Sequence, residues 1–130
     1  MFAIPLAVLA ATAAGPATPP VAGHTDDVTR LVLVVSDHQD GLRTTTLRCE
    51  PPGGDHPQPQ AACAALDAVG GDITQLSSSG DTICTLQYAP VRVSAYGYWR
   101  GHEVSVSHEY GNPCLMNAES GPVFTWATRD

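Results

Sequence analysis

Four cysteines constrain the fold of this chain more than any other feature of its sequence. They lie at Cys49, Cys63, Cys84 and Cys114 in a chain of 130 residues. In a small exported protein an even set of cysteines predicts a disulfide framework, because the hydrophobic core of such a domain is small and cross-links help to stabilise it. Three pairings are possible. Pairing sequence neighbours would bridge two loops, and loops of this size contribute on the order of 3–4 kcal/mol each.

The amino-terminal residues indicate export. Residues 1–14 form an apolar run that ends in small residues, which is typical of a secretory signal peptide and too short for a transmembrane helix. No Lys or Arg precedes Arg30, so the amino terminus alone supplies the positive charge. Residues 15–29 are rich in Pro, Gly and Thr and predict a flexible arm. We therefore expect one secreted, extracellular domain over residues 30–130.

The charged and metal-binding side chains exclude several function classes. A net charge of −7 without any lysine disfavours nucleic acid or an anionic membrane as a partner. No two cysteines have the short spacing of a zinc site, so neither a metal nor a cofactor is expected. Among the histidines, His108 falls on the apolar face of a strand, His56 lies in a proline-rich loop, and His102 and Glu103 point to opposite faces. Ser77–Ser79 lacks the context of a catalytic nucleophile, so we do not expect an enzyme.

The pattern of apolar residues predicts an α+β fold. The run Leu31–Val35 does not alternate, so we expect both of its faces to be covered, by a helix or by another subunit. Asp40-Gly41 predicts a hairpin turn after it, and residues 72–76 predict a turn or helical fragment. Five mostly antiparallel strands are predicted at Leu31–Val35, Leu42–Cys49, Val91–Ala95, residues 103–110 and Val123–Ala127, with two short helices at Ala61–Val69 and Cys114–Glu119.

The segment Cys84–Pro90 (Cys-Thr-Leu-Gln-Tyr-Ala-Pro) has the sequence of a surface loop. Turn-forming residues precede it, and Pro90 biases Ala89 towards extended geometry. Two interpretations of Leu86 remain open at this point. It packs inward as an ordinary strand residue, which the segment alone favours, or it is presented to solvent beside a disulfide.

A longer pattern resembles the Streptomyces subtilisin inhibitor family. The signature runs from Cys49-Glu-Pro-Pro-Gly-Gly-Asp-His-Pro57 to Ala62-Cys63-Ala64-Ala65-Leu66, and it combines a Cys-x-Pro opening, a Gly-x-His-Pro centre and an Ala-Cys-x-x-Leu close. The similarity extends over about residues 31–127, through Tyr88-x-Pro90, Trp99-x-Gly101, Asn112-x-Cys114 and Met116-Asn117-Ala118.

This resemblance implies a fold and an activity. The fold would be a five-stranded antiparallel sheet with two short helices, two neighbour-paired disulfides and a homodimer formed through the sheets. The activity would be inhibition of serine proteases by the substrate-like standard mechanism, with Leu86–Gln87 as the reactive bond. An apolar Leu86 favours subtilisin-like or chymotrypsin-like targets. The expected protease-contacting residues are Ile83, Cys84, Thr85 and Tyr88, and the expected loop scaffold is Asn112 and Pro90.

Three positions depart from the family pattern. Thr85 stands where proline is frequent, Gln87 replaces a small or apolar residue, and Pro113 precedes Cys114. The alternative hypothesis is therefore a secreted binding module of the same fold with weak or no protease inhibition.

Overall fold

A computed structural model describes residue 3 and residues 28–77, 80 and 82–128. Apart from residue 3 the predicted signal peptide lies outside these residues, and so does most of the predicted arm. The last residue of that arm, Thr29, is buried and begins the first strand. Its Oγ1 accepts a hydrogen bond of 3.0 Å from the backbone N–H of Arg100.

The described chain forms an antiparallel sheet of four strands. They are β1 (Thr29–Asp37), β2 (Gly41–Cys49), β3 (Val91–Trp99) and β4 (His102–Tyr110), in the spatial order β2-β1-β3-β4. The helices are α1 (Pro59–Asp67) and α2 (Pro113–Ser120), with short 3₁₀ turns at Ile73–Gln75, Gly121–Val123 and Thr125–Ala127. Both helices begin at a proline, which suits the first helical turn because no hydrogen bond is lost there.

The predicted hairpin between β1 and β2 is confirmed. Oδ1 of Asp37 accepts hydrogen bonds from the backbone N–H groups of Gln39 at 2.9 Å and Asp40 at 2.6 Å. Gly41 has a φ of +71°, which its missing side chain permits. The turn is therefore fixed by an acceptor inside the loop as well as by the strands that it joins.

The strand β1 has one packed face and one open face. Leu31, Leu33 and Val35 are buried in a core that also contains residues of both helices. Val32 is 41% exposed on the other side. Helices cover only one of the two faces, because both helices supply residues to the same core. Cover by a second subunit stays a prediction.

The predicted fifth strand, Val123–Ala127, is wrong. Two 3₁₀ turns occupy this segment, and Val123 and Phe124 are fully buried in the core beside α1. A short apolar run cannot be assigned to a strand or a buried helical segment by its periodicity alone. Gly121-Pro122 precedes it and begins a helical turn, so the apolar side chains reach the core without sheet pairing.

The two disulfides pair sequence neighbours. Cys49–Cys63 joins the end of β2 to α1, and Cys84–Cys114 joins the segment before β3 to α2.

Within the loop closed by the first disulfide His56 is buried, and its Nδ1 accepts from the backbone N–H of Gln58 at 3.0 Å. The proton must therefore lie on Nε2, which donates to the carbonyl oxygen of Val123 at 3.0 Å. This histidine holds the proline-rich loop against the core.

Candidate functional site

Three segments meet at one end of the sheet. Because the strands are antiparallel, the turn after β1, the entry to β3 and the exit from β4 lie at the same edge. The register shows this directly, since Ser36 pairs with Arg92 and Val91 pairs with Tyr110. The exposed loop (residues 82–90) therefore lies beside the hairpin turn (residues 37–41) and beside residues 111–114.

The exposed loop presents apolar side chains to solvent. It has no regular secondary structure, and the exposed fractions are 97% for Ile83, 94% for Leu86 and 79% for Tyr88. The interpretation of Leu86 as an inward-packed strand residue is therefore wrong. Adjacent apolar side chains exposed on one segment are typical of an interaction site.

Three tethers hold the exposed loop, and all of them end on residues 111–114. The Cys84–Cys114 disulfide fixes its first half. Near its end, the backbone N–H of Ala89 donates to the carbonyl oxygen of Gly111 at 2.8 Å. Between these two points lies the side chain of Asn112. The loop is thus exposed at residues 82–83 and 85–88 but held from one side.

The side-chain amide of Asn112 bridges the bond between Leu86 and Gln87. Its Nδ2 donates to the carbonyl oxygen of Thr85 at 3.0 Å and to that of Gln87 at 2.8 Å. Its Oδ1 accepts from the backbone N–H of Leu115 at 2.9 Å and so caps α2. Asn112 is only 4% exposed. A flipped amide would place oxygen against two carbonyl oxygens, so this network fixes the orientation of the side chain.

The central part of the loop keeps its backbone groups available. Among the described residues, the backbone N–H and carbonyl of Leu86 make no hydrogen bond. An extended segment with free backbone groups can bind a partner's cleft as an added strand, with alternate side chains in pockets. The arrangement therefore suits a protein that presents one peptide bond to a cleft while holding the residues on both sides of it.

The other predicted site residues lie around this bond. Thr85 and Gln87 are exposed, whereas Cys84 and Pro90 are half-buried, the latter directly before β3. Two contributions were not predicted from the sequence. One is the carbonyl oxygen of Gly111, a hydrogen-bond acceptor whose only indication in the sequence was its position in the Gly-Asn-Pro segment. The other is the position of the hairpin turn, which lies beside Tyr88 because of the order of strands in the sheet.

Two groups at this end of the sheet have shifted pKa values. Hydrogen bonding, first from the backbone N–H of Asp40 and also from Gln39, and the nearby Arg43 guanidinium lower the pKa of Asp37, although burial opposes the shift. Burial, together with the charge of Glu119, raises the pKa of Tyr110 to about 12. Tyr110 therefore stays protonated at neutral pH, and neither group is aimed at the bond after Leu86.

The histidines that the structure describes form no reactive cluster. His108 packs edge-on against Tyr110 with ring centroids 4.7 Å apart, while His102 and Glu103 are successive residues on β4 and so point to opposite faces. In the part of the chain that the structure describes, no three His, Cys, Asp or Glu side chains are placed to hold a metal ion. Nor is any helix there both long and apolar enough to cross a membrane.

Comparison with known proteins identifies the family. A sequence profile described as subtilisin inhibitor-like matches residues 27–112. The chain belongs to this family. It is 45% identical over 86 residues to subtilisin inhibitor-like protein 5 of Streptomyces fradiae, an alignment that covers 65% of this chain and 80% of that protein. It is 39% identical over 122 residues to a subtilase-type protease inhibitor of Streptomyces coelicolor, covering 89% and 83%.

A solved structure of a similar protein has the same fold. Sermetstatin of Streptomyces caespitosus, crystallised in complex with Bacillus licheniformis subtilisin, is 32% identical and superposes with a TM-score of 0.65. The alignment covers 75% of this chain and 98% of sermetstatin. This family consists of protease inhibitors rather than enzymes.

Proposed function

We propose that this protein inhibits subtilisin-like or chymotrypsin-like serine proteases by the standard mechanism, with Leu86–Gln87 as the reactive bond. The observation that carries the proposal is the Asn112 bridge, which holds the carbonyl groups of Thr85 and Gln87 on either side of an almost fully exposed leucine. The complex of sermetstatin with subtilisin supports a serine protease as the partner.

The tethers explain how a bound peptide bond could resist hydrolysis. Attack by the protease serine on the Leu86 carbonyl breaks the bond to the Gln87 nitrogen, which leaves as an amine after accepting a proton. The Cys84–Cys114 disulfide and the Thr85 hydrogen bond hold one new end, and the Gln87 and Ala89 hydrogen bonds hold the other. Because the amine stays beside the acyl group, re-formation of the bond is effectively unimolecular. The prior ordering of the loop also lowers the entropy lost on binding.

The exposed side chains define the expected specificity. Burying Leu86 in an apolar primary pocket would contribute about 1.5–3 kcal/mol. Ile83 offers a second apolar group three residues earlier. Trypsin-like enzymes, by contrast, require an Arg or Lys where Leu86 stands.

The direct test is titration of subtilisin and of chymotrypsin with the purified protein. Stoichiometric loss of activity of at least one of them at micromolar concentration is expected. The alternative is a binding module without inhibition, which Thr85 and Gln87 would allow, and it predicts that both enzymes stay fully active. That second outcome would remove the proposed function.

A homodimer formed through the open face of the sheet is part of the proposal. Val32 is 41%, Tyr96 43% and Tyr98 50% exposed on that face. Val32→Asp should convert a dimer into a monomer in sedimentation experiments, whereas Ile83→Asp makes the same kind of change on the exposed loop and should leave the mass unchanged. A monomeric wild-type protein would contradict this assembly.

Secretion is the last part of the proposal. Its support is the apolar run of residues 1–14 and the pair of disulfides, which are characteristic of oxidising compartments. Expression of the full chain in a secreting bacterium should yield protein in the medium that lacks the leader. Mass spectrometry of that protein would detect an uncleaved leader and so refute the prediction.

A further inference from the structure

A cleft lies between the hairpin turn and the leaving side of the exposed loop. It has a volume of about 240 Å³, which is large compared with the ~30 Å³ that one water molecule occupies in the liquid. Its walls are largely apolar on the side of the loop and polar on the side of the turn. The lining residues are Asp37, His38 and Gln39 of the turn, Tyr88, Ala89 and Pro90 of the loop, and Pro113.

In this cleft, called the side cleft below, the wall formed by the hairpin turn is rigid. Asp37 accepts two backbone hydrogen bonds within the turn, and its Oδ2 lies 2.7 Å from Nη2 of Arg43. Arg43 in turn donates to the carbonyl oxygen of Ala127, which fastens the turn to the end of the domain. A wall fixed in this way can contribute to binding without a large ordering cost.

The rim of the side cleft has unused polar groups. His38 and Gln39 are exposed, and in the described residues neither side chain makes a hydrogen bond or ion pair. The carboxylate of Asp37, by contrast, is already neutralised by Arg43. The cleft therefore presents an apolar wall on the loop side and two free polar side chains on the turn side, rather than a charged site.

The side cleft is continuous with the reactive bond. Tyr88 is 79% exposed, lies two residues after Leu86 and forms part of the cleft wall. A protease that binds the loop as an added strand on both sides of the bond must also cover Tyr88. The surface of the protease that flanks the leaving side of its own cleft would then lie over His38 and Gln39.

The geometry points to a second contact with the same protease: the side cleft receives one apolar side chain from the protease surface beside the leaving side of its active site, with His38 and Gln39 at the rim. This inference rests on the proposed function and extends it from the loop to the hairpin turn. The hairpin turn then helps to determine which proteases dissociate most slowly from the inhibitor.

The test compares inhibition constants for subtilisin among variants of the full protein. The double variant His38→Ala/Gln39→Ala removes the rim, and Gln39→Trp places a large side chain at the mouth of the cleft. Each should raise the inhibition constant about tenfold, mostly through faster dissociation, as is usual for interface variants. Leu42→Ala is the matched control, because Leu42 is a 70% exposed residue of the same hairpin that does not line the side cleft.

The outcomes separate this inference from the proposed function. If Leu86→Ala weakens inhibition at least a hundredfold while both turn variants stay within twofold of wild type, the second contact does not exist but the reactive bond stands. If the wild-type protein neither binds nor inhibits the protease, both are refuted. A loss in the turn variants that Leu42→Ala shows equally would also overturn the inference, because it would reflect the hairpin as a whole.

Discussion

Replacing Asn112 with aspartate should separate the two tasks of this side chain. Its Oδ1 caps α2 by accepting from Leu115, while its Nδ2 donates to the carbonyl oxygens of Thr85 and Gln87. Aspartate is an equally good helix cap. It would, however, place an oxygen where the amide nitrogen now lies, against two carbonyl oxygens. The helix should remain, and the hold on the reactive bond should be lost.

The size of the effect follows from the two hydrogen bonds. Each contributes about 1 kcal/mol net, so losing both removes about 2 kcal/mol from the tethered state of the loop. At about 1.4 kcal/mol per factor of ten, this corresponds to a roughly thirtyfold larger released fraction. The bound inhibitor should therefore be hydrolysed at least thirtyfold faster. Asn112→Ala should behave similarly in this assay, and its loss of the cap should lower the unfolding free energy by about 1 kcal/mol relative to wild type.

The assay follows recovery of subtilisin activity in the presence of a small excess of inhibitor. Mass spectrometry of the same samples detects cleavage between Leu86 and Gln87. Asn117→Asp is the matched control, since Asn117 lies on the same helix, keeps its acceptor for the Thr128 hydroxyl and does not contact the loop. A complex of Asn112→Asp that lasts as long as the wild-type complex, with the bond intact, would refute the scaffold role.

Three further predictions concern specificity, acid stability and packing. Leu86→Arg should move inhibition from subtilisin and chymotrypsin towards trypsin; unchanged inhibition constants would show that residue 86 does not enter the primary pocket. The pKa of Asp37 is lowered from 3.8 in the folded protein, so its contribution to stability is present above that value and lost as pH falls through the lower folded pKa. Asp37→Asn should therefore weaken the dependence of the unfolding free energy on pH in the acid range, as measured by urea unfolding. An equal pH dependence in the variant and the wild-type protein would contradict this. Gly71→Ala would place a Cβ against the Trp99 ring, whereas a Cβ at Gly70 meets nothing within 4 Å. Because both glycines have a positive φ, Gly71→Ala should lower the unfolding free energy by about 1–3 kcal/mol more than Gly70→Ala. Equal melting temperatures of the two variants would refute the clash.

The sequence predicted most of the sheet because local preferences and tertiary packing agree there. Alternation in β3 and β4 and the Asp40-Gly41 turn all predicted what the structure shows. The strand predicted at Val123–Ala127 was wrong because an apolar run of that length packs equally well as a strand or as tight helical turns. Which of them forms depends on space beside α1, and this is a property of the assembled core rather than of the segment.

The site was predictable only in part. The position of Leu86 was ambiguous from its own neighbours, and the resemblance to a family supplied the role of Asn112. The bridging geometry of that side chain requires the exit from β4 and the entry to β3 to lie side by side. The side cleft next to Tyr88 depends on the same order of strands, and no local pattern encodes that order.

The tethers of the exposed loop also separate recognition from folding. They use a disulfide, backbone groups and Asn112, whereas the most exposed side chains of the loop, Ile83, Leu86 and Tyr88, project outward. Substitutions at such exposed positions usually change stability by less than about 0.5 kcal/mol. The exposed side chains of the loop can therefore be exchanged while the fold of the domain that carries them stays the same.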